Sequence, residues 1–337
     1  MTLLRPYLIT IIAVFILSAG PAGGLFFVET ARADKQPAPF RCRYSLPAGF
    51  LDKPFQFAGE VIPIQRPDVR YRIVCQLNFL LLDARSVLTE WLSEKSRHSW
   101  LFDEVFAQEG VPKDFTLLGP IFSALNSKTL TRAPGYGWWY LARSCAPGEG
   151  GPEMAEDSWH DDRLDLELST RCFATRIKGI RKEIGDNGWL MSVMAYLTSV
   201  KTVQELRERW NTGVFWDLPL PEAAEELILR WIALSIIDSN RGAYDLRFKD
   251  ASPLVFDQVG GLALTKDLTV AEIARITRVP PREILKLNPK IKPSAAAFPA
   301  KSGGKATTHT VAAPRGTGNA LLEALRKEGY LAPPAKP

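Results

Sequence analysis

From Ile73 onward apolar residues recur at spacings of three and four: Ile73, Leu77, Leu81, Ala84, Leu88 and Trp91. That spacing lays one apolar stripe along a long amphipathic helix. A second helical piece, "WLFDEVFAQ", is expected to stop at "EGVP", where a glycine is followed closely by proline. Further on, "STRCFATRIKGIRKEIGD" offers Ser169 as an N-cap, sets Phe173, Ile177, Ile180 and Ile184 on one face, and ends at Gly185. "WLMSVMAYLTS" is apolar nearly throughout and predicts a buried helix. "LPEAAEELILRWIALSIIDSN" places Pro221 in a first turn with acids around it, as helix starts prefer. No long alternating run competes, so the central region is predicted to be mainly α.

After residue 250 the pattern changes. "LTVAEIARITRVPPREILKLNP" predicts two short helices around a turn at Pro280-Pro281. The stretch "KPSAAAFPAKSGGKATT" has the composition of a flexible linker. A short helix over "NALLEALRKEGYL" and a proline-alanine tail complete residues 293–337. Upstream, residues 34–67 are proline-rich and predict an extended leader.

The N-terminal pattern speaks to location. Arg5 precedes an uncharged run to Val28, and Tyr7 to Ser18 has the length of a signal-peptide core, broken by Gly20-Pro21. "ARA" at residues 31–33 is a small-x-small cleavage site, so residues 1–33 are expected to be a signal peptide removed after Ala33. An uncleaved anchor is the alternative, because the uncharged run is nearly long enough to span a bilayer. Cys42 lies in "APFRC", without the small residues of a lipoprotein signal, so no lipid anchor is expected.

Export changes the meaning of the cysteines. Cys42, Cys75, Cys145 and Cys172 are even in number and directed to an oxidising compartment, so disulfides are expected. Cys145–Cys172 would restrain the ends of an acid-rich loop and Cys42–Cys75 would tie the leader to the first helix, one of three possible connectivities. There is no CxxC pair, and His98, His160 and His309 are far apart, so neither metal nor cofactor is expected. The chain has 337 residues, 46% hydrophobic and 23% charged, which suits a globular protein of about two domains. Its net charge of +5 fits an acidic polymer as partner, or simply a mildly basic surface.

Several segments in order carry a resemblance: "FAGEVIPIQRPDVRYRI", "VFAQEGVPKDF", "DDRLDLELST", "AYLTS" and "FWDLPLPEAAEELILRWIALSIIDSN". Over residues 55 to 290 the chain resembles the membrane-bound lytic murein transglycosylase D family, whose catalytic domain is related to goose-type lysozyme. The resemblance implies a mainly α, lysozyme-like fold. A helical pre-domain would occupy residues 68–110 and a transglycosylase-like domain 111–250. "TVAEIARITRVPPREILKLNP" resembles the helical half of a LysM module, placed at 262–292 in degenerate form. It also mimics a DNA-binding helix-turn-helix, but export makes nucleic acid an unsuitable partner.

The family's catalytic segment has a glutamate followed by serine, a glycine-bearing turn, then a Trp-Gln-Phe step. Laid on "LGPIFSALNSKTLTRAPGYGWWYL" without a gap, Gly137 and Trp139 meet the glycine and tryptophan, and Tyr140 meets the glutamine. Ser123 meets the serine, and Phe122 meets the glutamate. Later, Tyr196 keeps the family tyrosine while Leu197 replaces its asparagine. From Phe115 through Gly148 there is no Asp or Glu, although Lys128, Arg132 and Arg143 are present.

In such an enzyme one carboxyl protonates the leaving oxygen and then takes a proton from the sugar's own hydroxyl. Each role is worth about 10²–10⁴-fold. A phenyl ring can do neither. The resemblance therefore implies a catalytically inactive, periplasmic protein that binds peptidoglycan glycan strands or a cell-wall partner protein. Ser123, Trp139, Tyr140 and Tyr196 would line its groove, with Lys128 and Arg132 at the rim. An aromatic pair such as Trp138 and Trp139 is more often core than a sugar-stacking platform, and Phe122 reads as core in any fold. An active enzyme could instead draw a relocated acid from Glu149, Glu153, Glu156, Asp157, Asp161 or Asp162, although that stretch is expected to be a solvated loop. A protein scaffold with a filled groove is the third reading.

Overall fold

A computed structural model describes residues 43–123, 137–141, 154–185, 188–302 and 304–331. The expected signal peptide, Cys42, Lys128, Arg132, Arg143, Cys145, Glu149 and Glu153 lie outside them. The leader enters as a hairpin, β1 (Phe55–Phe57) and β2 (Glu60–Ile62), with Phe57 opposite Glu60. Ala58 and Gly59 both take positive φ, the turn that matches strand twist, and Phe57, Ala58 and Ile62 are buried beneath it.

Pro67 opens α1 (Pro67–Asn78) with Asp68 in its first turn. One π turn, Phe79–Asp83, joins it to α2 (Arg85–Glu109), which ends on Gly110 at φ 68°. The stripe expected from the sequence is present: Ile73, Leu77, Leu81 and Leu88 are buried. The π turn lets neighbouring Leu80 and Leu81 both face the core. The second helical piece proves to be the C-terminal half of α2, burying Leu101, Phe102, Val105 and Phe106.

A short α3 (Leu118–Ser123) precedes the segment 124–136. Then α4 (Leu166–Glu183), α5 (Trp189–Leu197), α6 (Val200–Trp210) and α7 (Glu222–Ser239) complete the helical unit. The N-cap of α4 is Asp165, whose side chain accepts from the Leu168 N–H at 3.0 Å. Ser169, the expected cap, is buried inside the helix and bonds the Leu166 carbonyl, because Asp165 offers the same chemistry one turn earlier. α7 packs against α1 and buries Ile228 through Ile237 on nearly every side. Its Trp231 is fully buried, with Nε1 donating to the Asp114 carbonyl at 2.8 Å.

The first turn of α5 is satisfied from 130 residues away: Glu60 accepts from the Leu190 N–H at 2.9 Å and from the Trp189 N–H. A Cβ on Gly188 would come within 2.6 Å of this carboxylate, and φ 86° suits only glycine. Burial raises the Glu60 pKa, although the two N–H groups and Arg181 pull it down. The carboxylate caps a helix and holds it against β2.

Residues expected to be half a module and a linker form one folded unit. β3 (Phe256–Ala263) pairs antiparallel with β8 (Thr308–Pro314), across a register shift between Val259 and Leu262. Between them run β4 (Leu268–Thr269), α8 (Val270–Thr277) and α9 (Pro281–Leu287). Next come β5 (Ala297–Phe298), β6 (Lys301–Ser302) and β7 (Lys305–Ala306). β5 pairs with β4, and β7 with β6. α10 (Gly318–Lys327) adds Leu321 and Leu325 to a separate core shared with Ile273, Ile284, Phe298 and Val311. The "linker" expectation is thus corrected: Phe298 and Ala300 within it are buried, and Asn288 of the Leu-Asn-Pro ending locks onto β8. Its side chain both donates to and accepts from the Ala312 backbone, at 2.8 and 2.9 Å.

Candidate functional site

The position that should carry an acid sits inside a cluster of rings. Phe122, 7% exposed, stacks on Tyr196 at 6.1 Å between centroids and meets Phe173 edge-on and Tyr140 tilted, both at 6.3 Å. Tyr196 closes the cluster by donating its hydroxyl to the Trp139 carbonyl at 2.8 Å. Burial holds that phenol above its ordinary range, so it is a proton donor in a structural bond rather than a titrating group. Ser123 is buried and donates to the Gly119 carbonyl at 3.1 Å.

The geometry of the Gly-Trp-Trp-Tyr turn at residues 137–140 explains why its residues are these types. Gly137 has φ 75°, and a Cβ there would lie 2.3 Å from the Arg163 carbonyl oxygen. Trp138 donates Nε1 to the Leu164 carbonyl at 2.7 Å. Trp139 is fully buried, stacked on Phe173 at 4.9 Å, with Nε1 on Thr170 Oγ1 at 2.8 Å. Tyr140 has φ 61°, an uncommon left-handed conformation for a tyrosine. Of the four groove candidates, then, Ser123 and Trp139 are core groups. Only Tyr140 and Tyr196 keep partial exposure, and Leu197 packs against the same core.

The acid-rich stretch, where described, is a tightly paired joint instead of a solvated loop. Asp161 is buried and accepts from the Arg163 backbone N–H at 3.0 Å and twice from its guanidinium at 2.9 and 2.6 Å, while Glu156 accepts from the same guanidinium at 2.9 Å. Asp157 accepts from His160 Nδ1 at 2.8 Å, from the Trp159 N–H at 2.8 Å and from Ser302 Oγ at 2.9 Å. Burial pushes its carboxyl up, but these bonds prevail and hold it at about 2. Burial likewise opposes ionisation of Asp162, yet His160 and the Ala155 N–H bring its pKa below the usual value. A general acid must hold its proton near neutral pH. Asp157 and Asp162 cannot, and Asp161 is spent on Arg163.

This joint carries the C-terminal module. His160 and Ile291 form an antiparallel bridge, the Asp161 N–H donates to the Lys290 carbonyl at 2.9 Å, and the Lys292 N–H donates to the Trp159 carbonyl at 2.8 Å. Lys290 reaches Asp165 at 2.9 Å, and the Trp159 ring packs into the module core against Phe298 and His309. Nothing in the sequence spacing brings residues 156–165 to 290–309. The lone signal was the oddity of a tryptophan and histidine inside an acidic run.

The joint has a pH signature. Burial lowers the His160 pKa, but Asp162 and Asp157 raise it more, so the folded value lies above the ordinary 6.5. A raised histidine pKa contributes stability below the unfolded value of about 6.5 and loses it as pH rises through the folded one. Lys290, Lys292 and His309 face the joint from the module side. His98 has the opposite sign: burial lowers it to about 4, so it costs stability as pH falls from 6.5 towards that value. We expect the melting difference between the native chain and His160→Gln to be larger at pH 6 than at pH 8.5. An equal difference at both would show that the imidazole does not charge in the joint.

Among the described residues, no helix is long and apolar enough to cross a membrane. Cys75 is half-buried on α1 and Cys172 fully buried on α4, while their expected partners lie outside the described residues. No family model matches the chain. It is 24% identical over 202 residues to the membrane-bound lytic murein transglycosylase D of Escherichia coli strain K12, and equally to that of strain CFT073. The match covers 58% of this chain but 42% of the relative, so the chain aligns with less than half the length of the curated proteins it matches. It is therefore distantly similar to a lytic murein transglycosylase over part of both chains.

Proposed function

We propose that this protein is an exported, peptidoglycan-associated component of the cell envelope that binds without cleaving. The observation that carries the reading is Phe122: where the similar enzymes are expected to hold a proton-carrying carboxyl, this chain buries a phenyl ring among Tyr140, Phe173 and Tyr196. The absence of any acid from residue 115 to 148 supports it whichever neighbour is taken as the equivalent position. The hydrogen-bonded Asp157 and Asp162 weaken the relocated-acid alternative. The pairing of β3 with β8 around α8 and α9 supports a LysM-like module, with β8 beginning where the expected linker ends and the short strands β5, β6 and β7 built from that linker. The "ARA" site supports periplasmic residence without a lipid anchor, and a mature chain beginning at Asp34 is expected.

The burial of Ser123 and Trp139 favours one further point: these two side chains are not open to a glycan, so contact lies elsewhere on the surface or is made with a cell-wall protein. Co-sedimentation with purified sacculi separates the two. Binding that weakens with salt supports glycan contact through the basic surface. No binding at any salt leaves the scaffold reading.

A further inference from the structure

A cavity of about 380 Å³ lies where the helical unit meets the module, bordered by α2, the start of α4, both long strands of the module and the end of α9. That size falls within the roughly 300–1,000 Å³ of small-molecule sites. Leu101, Leu254, Phe256 and Leu287 give it apolar walls. The charged groups around it are already paired: Lys290 with Asp165 at 2.9 Å, Arg171 with Glu167 at 3.0 Å, and Lys286 with Glu283 at 3.1 Å on the outer side of α9.

One polar group on its lining is not. His98, 5% exposed, borders the cavity, and its Nδ1 has no hydrogen-bond partner among the described residues. Burial lowers its pKa to about 4, so the ring is neutral at physiological pH and holds one donor and one acceptor. A buried polar nitrogen without a partner is costly, and such exceptions need an explanation.

These features select a ligand. An anion would meet cations that already have acid partners and an imidazole that is neutral at physiological pH. A cation would have to displace an existing pair, and burying either ion without a partner is costly. A hydrocarbon would leave the imidazole unsatisfied. A neutral, compact molecule with an apolar face and hydroxyl or amide groups meets every wall. We propose that this inter-module cavity binds an uncharged N-acetylated sugar unit, with His98 as its buried hydrogen-bonding partner. The choice of sugar rests on the peptidoglycan reading above, while the site itself does not.

The test uses the full mature chain, nitrogen-15 labelled at histidine, titrated with triacetylchitotriose. Saturable shifts of the His98 ring nitrogens are expected. Gln258→Trp, which plugs the mouth from an exposed strand position, should weaken binding by about tenfold or more, equivalent to about 1.4 kcal/mol. His98→Phe keeps the ring and removes both nitrogens, and should weaken it comparably. No His98 shift at millimolar sugar would overturn the proposal. If sacculi still co-sediment in that case, the peptidoglycan reading survives without this cavity; if they do not, both fall. Sugar binding unchanged in Gln258→Trp would also overturn it, by placing the contact elsewhere.

Discussion

Trp139→Ala is expected to destabilise the helical unit by about 3–5 kcal/mol, the usual cost of truncating a large buried aromatic. The side chain is fully buried, stacked on Phe173 and edge-on to Phe102 and Phe106, so its loss opens a cavity between α2 and α4. Its Nε1–H bond to Thr170 goes with it. Trp139→Phe should recover most of the packing, and Trp210→Ala, at an exposed site, should change stability by no more than about 0.5 kcal/mol. Urea unfolding of the three variants checks the order. A mild effect at Trp139 would mean that the side chain faces a groove after all.

The second large effect is expected at the joint. Asp161→Ala removes the acid that takes two of the guanidinium bonds of buried Arg163, leaving Glu156 as its acid partner among the described residues, and breaking a buried pair from one side costs about 3–5 kcal/mol. Because the Asp161 backbone also bonds Lys290, the damage should reach the module. Hydrogen exchange at β3 and β8 should speed up together with exchange at α4. Loosening confined to α4 would show that the module stands independently of the joint.

The helices were legible because burial imposes their period. Ile73 to Leu88 and Phe173 to Ile184 announce their faces in the spacing alone. The π turn was not legible, since an extra residue in one turn leaves composition unchanged. The module strands were hidden for a related reason: Gly260 and Gly261 sit at a register shift that breaks the alternation of β3. In the supposed linker, Phe298 and Ala300 sit among alanines and prolines, a composition with no strand or helix period. Long-range partners were beyond reach altogether. No local rule joins Glu60 to the start of α5, or Asp161 to Lys290.

The candidate site divides in the same way. The missing carboxylate was legible in the composition of residues 115–148, whereas the burial of Ser123 and Trp139 depends on what packs over them. His98 gave no sign in sequence, because a histidine on an apolar helix face looks the same whether its nitrogens are satisfied or not.

The central claim, binding without cleavage, is tested most directly by incubating the purified chain with purified sacculi and assaying soluble 1,6-anhydro-muropeptides by mass spectrometry. No release above the protein-free control is expected, at any pH between 5 and 8, and none from a Phe122→Glu variant, whose carboxyl would be buried among rings without the family's surrounding groups. Robust release by the native chain, abolished by replacing one of Glu149, Glu153 or Glu156, would contradict the claim and establish an active enzyme with a relocated acid.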